Sequence, residues 1–233
     1  MLGAGVRLAG LLMVCIYIKC LRKIFSIDGI IRSESFPNME LIIIILLGYA
    51  IWAFLKLVQT TPKDIGDKGE DAVRKLLLRK LNSEKYTLLN DVIIPNPSSS
   101  TNTAQIDHIV LSVYGIFVIE TKNYSGWIFG SPNARNWTQV VYQKKNQFQN
   151  PIKQNWGHIY ALSAYLKLPR YKFYNIVSFV GDAEFKTEVP EEVYLDDSFV
   201  DLIQTEDTKV LTEDILIRVR NQLLQTDEES FQQ

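Results

Sequence analysis

Cysteine is scarce in this chain: Cys15 and Cys20 are the only two in 233 residues. Both lie in or beside an early apolar run, so no thiol remains further along for a disulfide framework or a zinc site. An excess of one charge is also lacking. The 25 Lys and Arg nearly balance the 26 Asp and Glu, for a net charge of −1, and no global basic field draws in a polyanion. That counts against a tight, non-specific nucleic-acid binder. Contact with a phosphate backbone must rest on local groups such as Lys144, Lys145, Lys153 and Arg135. No internal repeat is visible. Gly3-Ala4-Gly5 lacks the preceding strand and the third glycine of a dinucleotide fingerprint.

Apolar residues are abundant, at 47%, which suits one compact domain plus a greasier part. Leu41 to Leu55 is uninterrupted by charge, bracketed by Glu40 and Lys56, with Trp52 near its end. With Met39, Leu57 and Val58 it approaches the ~20 residues that cross a bilayer, and it reads as a transmembrane helix. Leu8 to Ile18, flanked by Arg7 and Lys19, reads as a second span, an interfacial helix or a signal-peptide core, and no Ala-x-Ala-like cleavage site follows it. Residues 1–60 are thus expected to be a membrane anchor of one or two helices. The Lys/Arg distribution does not settle its orientation.

The remainder predicts a helix at about 66–81, strands at 86–94, 104–113, 116–122 and 137–143, a helix at 151–166, a strand at 174–180 and a terminal helix near 211–224. This order suits an α/β (α+β) domain with a mixed sheet and helices on both faces. Residues 61–170 form the core, and 171–233 a strand/helix extension. That extension turns acidic between Asp182 and Asp214, where Lys186 and Lys209 are the only bases, and the tail after Gln225 reads as disordered. The acidic stretch reads as solvated surface that would repel a phosphate backbone. Trp127, Trp137 and Tyr142 are candidates for stacking on bases, against the usual core role of strand aromatics.

The segment from Gln105 to Lys122 carries most of the chemistry. Two strand-like runs, Gln105-Ile106-Asp107-His108-Ile109-Val110-Leu111 and Ile116-Phe117-Val118-Ile119-Glu120-Thr121-Lys122, flank a turn. Alternation puts Val118, Glu120 and Lys122 on one face. With Tyr114-Gly115 as a two-residue loop, Asp107 falls opposite Lys122 and diagonal to Glu120. Two carboxylates and an ammonium among apolar neighbours are costly without a task such as holding a divalent metal. Solvated surface charge is the bland alternative.

Two helices add to this set. In the first, capped by Asp64 or Asp67, the stripe of Val73, Leu76, Leu77 and Leu81 extends back to Glu70, which places a carboxylate on the buried face. In the second, Asn150-Pro151 is a cap and first turn, and Gln154 and His158 share a stripe with Leu162. This pair is suited to orienting a phosphate or a water, although such a His is more often a satisfied core residue.

Glu70, Asp107, Glu120-Thr121-Lys122 and Gln154 are similar in order and spacing to the PD-(D/E)xK nuclease pattern. The phrases from Gln105 to Val110, Gly115 to Gly126 and Asn150 to Asn155 resemble the nuclease-related (NERD) domain of that superfamily, over roughly Gly66 to Leu168. Ile106 stands where the superfamily's namesake Pro would be. A metal needs the carboxylate and not its neighbour. The resemblance implies a restriction-endonuclease-like core in which Asp107 and Glu120 hold Mg²⁺ or Mn²⁺, with Glu70 as a third carboxylate, directly or through water. It also implies that Lys122 positions or deprotonates the attacking water, and that Gln154, with Gln105 a weaker candidate, orients phosphate or water. The expected function is a membrane-anchored, metal-dependent nuclease acting on nucleic acid, DNA more than RNA, with its catalytic domain in the cytoplasm. The alternative is a non-catalytic nucleic-acid or protein-binding module that keeps the fold.

Overall fold

The computed structural model describes residues 47–52 and 61–230. Residues 47–52 are helical. Most of the Leu41–Leu55 run and all of Leu8–Ile18 lie outside the described residues. Among the described residues no helix is long and apolar enough to cross a membrane.

From Thr61 onward, α1 (Pro62–Lys80) opens a turn earlier than the apolar stripe suggests. Thr61 is its N-cap and forms a reciprocal capping box with Asp64, and Pro62 pre-sets the first helical turn. Asp64 is therefore the third helical residue and not the cap, and Asp67 is not the cap either. The buried stripe is Gly69, Val73 and Leu77.

The main sheet has the order β1 (Thr87–Pro95), β2 (Thr103–Ser112), β3 (Gly115–Asn123), β7 (Phe173–Val180), β9 (Val193–Tyr194). Its first three strands are antiparallel, and β3, β7 and β9 run parallel. A smaller sheet has the order β6 (Lys144–Gln149), β5 (Asn136–Val141), β4 (Gly126–Phe129), β8 (Ala183–Phe185); β4 to β6 fill the connection between β3 and the crossover helix α2 (Pro151–Leu166), and β8 joins from beyond β7. The short helix α3 (Phe199–Thr205) and the terminal helix α4 (Glu213–Ser230) complete the chain. The mixed α/β class matches the expectation. The expected single strand at 137–143 is instead a hairpin, β5–β6, because residues 142 and 143 turn the chain back, with Tyr142 in left-handed backbone at φ 55°. Strands β4, β8 and β9 were too short to give a period in the sequence. The terminal helix continues through residues 226–230, where composition suggested disorder.

Period-two alternation in β3 sends its side chains into two cores. Ile116 and Val118 join Ile109, Leu111, Ile159, Leu162 and Leu166 under α2 and α4. Phe117 and Ile119 join Val73, Leu77, Ile176 and Phe199 under α1 and α3. A third cluster, Ile128, Trp137, Ile152, Val177 and Phe179, seals the smaller sheet against the domain. Trp137 is completely buried there and stacks on Phe179, so it is a core residue and not a base-stacking platform. Trp127 and Tyr142 are exposed.

Helix α2 is fixed by its polar residues as much as its apolar ones. Asn150 accepts from the Ile152 and Lys153 amides and gives its own N–H groups to three carbonyls, those of Ser131, Pro132 and Ala134. Asn155, also fully buried, donates to the Val118 and Ile176 carbonyls at 2.8 and 3.1 Å and to Asn175 Oδ1 at 2.7 Å. A buried amide bridging two strands cannot be truncated without orphaning its partners. Asn155→Ala is expected to destabilise the domain by about 2–3 kcal/mol, measured by urea unfolding. A loss under about 0.5 kcal/mol, the usual range for a surface substitution, would show that the clamp is dispensable.

Candidate active site

Strands β2 and β3 pair from Ser112↔Gly115 to His108↔Ile119 and then part. The turn is therefore Val113-Tyr114 and not Tyr114-Gly115. Continuing this register by one residue places Asp107 opposite Glu120, not opposite Lys122. The correction shifts the pairing by two residues, so the faces are unchanged. At the fork the Asp107 carboxylate takes the Thr121 N–H at 2.7 Å, occupying a donor that the ladder no longer uses. Across β1, Asp91 lies between Asn90 and Val92, which pair with His108 and Ile106, and it adopts left-handed backbone at φ 55°. Asp tolerates that conformation better than most residues.

Glu120 is the centre of the arrangement and is only 2% exposed. Its Oε1 accepts from Lys122 Nζ. Its Oε2 is fully enclosed without a hydrogen bond, 3.4 Å from His158 Nε2. Lys122 Nζ also donates to Gln154 Oε1 at 3.2 Å. Gln154 and His158, one helical turn apart on α2, thus flank the carboxylate–lysine pair. Glu70 comes from α1 on the opposite side of the sheet and meets the others at the fork, lining the same cleft of about 950 Å³ as Asp107, Glu120, Lys122, Gln154 and His158. It does not close on the pair. Among the described residues no three His, Cys, Asp or Glu converge as one metal-binding group. Gln105 lines the cleft too, with its amide turned to Asp91 Oδ1 at 2.5 Å.

Crowded carboxylates set the electrostatics. Burial, then Glu120, pushes Asp107 up to about 7, against the Thr121 N–H that pulls it down. Burial alone would raise Glu120, but His158 and Lys122 outweigh it and hold that carboxyl below its usual range. Lys122 would be lowered by burial, yet Glu120 keeps it above the usual lysine value. Burial and the nearby Asp67, Asp91 and Glu120 raise Glu70. The site therefore holds more negative charge than its own cation neutralises. Two carboxylates with an enclosed, unbonded oxygen suit a hard divalent cation, and Mg²⁺ commonly takes one or two carboxylates together with water and substrate phosphate.

Sequence reasoning missed the second wall of the cleft. Gln139, Asn146 and Gln149 of the smaller sheet line it, as do Asn123, Ser125 and Gly157. The polar run of β6 gave no signal of its own. Only the turn at Tyr142, once recognised, would have folded it beside β5.

A mixed α/β domain with a buried carboxylate–lysine pair at a strand fork is an arrangement suited to phosphodiester chemistry. Residues 65–180 match the nuclease-related domain family, NERD, and the chain is a NERD-domain protein of the general PD-(D/E)xK kind. A protein of Bacillus anthracis described only as uncharacterized is 43% identical over 126 residues, covering 53% of this chain and 58% of that relative. No solved structure matches.

Burial of Asp107, and then its repulsion by Glu120, makes the metal-free fold pH-sensitive. With Asp107 raised to about 7 from an unfolded value near 3.9, its favourable contribution is complete below about pH 4 and is lost as pH rises through about 7. Asp107→Asn keeps an acceptor for Thr121 and cannot ionise. In chelator, its stability advantage over wild type should grow by about 2 kcal/mol between pH 5 and pH 8, read from thermal unfolding. An equal difference at both pH values would mean that Asp107 ionises without penalty.

Proposed function

We propose that the protein is a membrane-anchored, divalent-metal-dependent nuclease that hydrolyses phosphodiester bonds, in DNA more than in RNA. The observation that carries this reading is the buried Glu120, with one oxygen held by Lys122 and the other enclosed 3.4 Å from His158 Nε2, at the fork that Asp107 also enters. Asp107 and Glu120 would hold Mg²⁺ or Mn²⁺, with Glu70 contributing through water. When bound, such an ion supplies Lewis-acid stabilisation of the phosphate's negative charge. Lys122, already donating to Glu120 and Gln154, has a third N–H for a phosphate oxygen or the attacking water. As a donor it orients the nucleophile and offsets charge developing on the phosphorus centre. Gln154 fixes the lysine's direction and offers its amide N–H groups to phosphate. The enclosure of Glu120 keeps these interactions in a medium where they are stronger than in water.

The anchor rests on the charge-free Leu41–Leu55 run, with the nuclease domain on the cytoplasmic side where nucleic acid is found. A non-catalytic binding module is the second reading, favoured by one observation: Glu70 stays outside the carboxylate pair, so no three-ligand group forms among the described residues.

Cleavage assays separate the two. Glu120→Ala should abolish hydrolysis in Mg²⁺ and Mn²⁺, whereas Lys122→Ala should keep metal binding and slow the chemical step by ~10² or more. Substrate affinity in Ca²⁺ should change far less than the rate. Wild-type protein that binds DNA and RNA but cleaves neither would establish the binding module, and equal activity of wild type and Glu120→Ala would remove the site assignment. Full-length protein should stay in the membrane pellet through alkaline carbonate, and its release there would contradict a spanning helix.

A further inference from the structure

Charge is distributed far less evenly along the chain than its total suggests. From Thr121 through Gly181 there is no Asp or Glu, while eight Lys or Arg occur, so all 26 acidic residues lie outside that segment. The segment comprises the end of β3, the β4–β6 part of the smaller sheet, α2 and β7. It holds the wall of the cleft that the catalytic carboxylates do not occupy.

The β5–β6 hairpin shows how that wall is built. Directly opposed residues share a face, so Trp137 and Phe148 mark the inner face, and Gln139 and Asn146 continue it. The first pair is packed into the core with Ile128 and Phe179. The second pair, further from the base of the hairpin, lines the cleft. Lys144, two residues on from Asn146, falls on the same face by alternation. At the base, Arg135 shares a backbone hydrogen bond with Asn150, and Lys153 Nζ reaches the Asn133 carbonyl at 2.7 Å. Strand β6 is the edge of its sheet, and Lys144 to Gln147 are all exposed. It thus presents amides, ammonium groups and unpaired backbone, with no acid to repel a phosphate.

Facing this wall, α2 carries a glycine where packing asks for none. A β-carbon at Gly69 would lie 2.6 Å from that of Asn123, so close helix–strand contact explains that glycine. At Gly157 a β-carbon would meet nothing within 4 Å, although the residue sits mid-helix, between Gln154 and His158, on the cleft. Glycine there weakens the helix without a packing return.

We propose that a nucleic-acid strand enters the cleft between the amide face of the β5–β6 hairpin and the bare backbone at Gly157, its phosphates drawn by the acid-free segment. This rests on the nuclease reading and adds the path of the substrate to it. The glycine leaves room for the sugar-phosphate backbone against α2. Gln139 and Asn146 offer uncharged hydrogen bonds to the strand, and Lys144, on the same face, supplies the charge.

The test uses full-length protein in detergent, Ca²⁺ in place of Mg²⁺, and a fluorescein-labelled single-stranded DNA followed by anisotropy over a range of salt. Lys144→Gln should weaken binding severalfold and reduce the slope of log affinity against log salt by about 0.7, the value for one lost phosphate contact on a single strand. Lys85→Gln, in the turn before β1, should leave both unchanged. Gly157→Ala should raise the unfolding temperature while weakening binding, a combination that a purely structural glycine does not give. An unchanged salt slope in Lys144→Gln, unchanged affinity in Gly157→Ala, or a lowered unfolding temperature in Gly157→Ala would each overturn the path. In those cases cleavage by wild type would leave the nuclease reading standing. Wild-type protein that neither binds nor cleaves nucleic acid would overturn both.

Discussion

Keeping Glu120 ionised inside the protein is the constraint on which the site depends. A carboxylate with 2% of its surface exposed is sustained only by nearby positive charge and good hydrogen bonds. Lys122, two residues along the same strand, supplies the first, and His158 approaches the second oxygen from α2. Asp107 adds a competing negative charge, and the ionisation of the pair divides unevenly: Glu120 stays charged, and Asp107 is driven toward its neutral form. Ionising both of two carboxyl groups forced together in this way costs the fold stability. Such perturbed groups are characteristic of functional sites.

The surroundings of Glu120 follow from how the two helices are held. Asn155 ties α2 to the carbonyls of β3 and β7, so the residues on either side of its stripe, Gln154 and His158, fall over the end of β3. Asn123 ties α1 to the same strand by donating to the Ile65 carbonyl at 2.6 Å, with Gly69 allowing the close approach. The parting of β2 and β3 then opens the sheet between the helices, and groups from both of its faces reach one cleft.

A near-neutral chain with a long acid-free interval is an electrostatically divided molecule. The acidic stretch after Gly181 and the basic segment before it cancel in the sum, but fields act locally, over about a Debye length. Net charge therefore hides the local excess of eight Lys and Arg between Thr121 and Gly181.

Much of this was legible in the sequence because the rules concerned are local. Alternation assigned Glu120 and Lys122 to one face and Asn150-Pro151 marked the start of α2, while the α1 stripe runs through Gly69, with Glu70 half-buried beside it on the cleft. The two-residue correction to the β2–β3 register left those faces intact, since parity survives an even shift. What depends on distant parts of the chain was not legible. Tertiary packing turned Trp137 into the floor of the third cluster, folded β6 back as a cleft wall, kept Glu70 apart from the carboxylate pair, and brought His158 against Glu120. Periodicity along a strand or helix fixes where a side chain points. The depth of its burial, and what faces it, are set by elements that the local pattern does not contain.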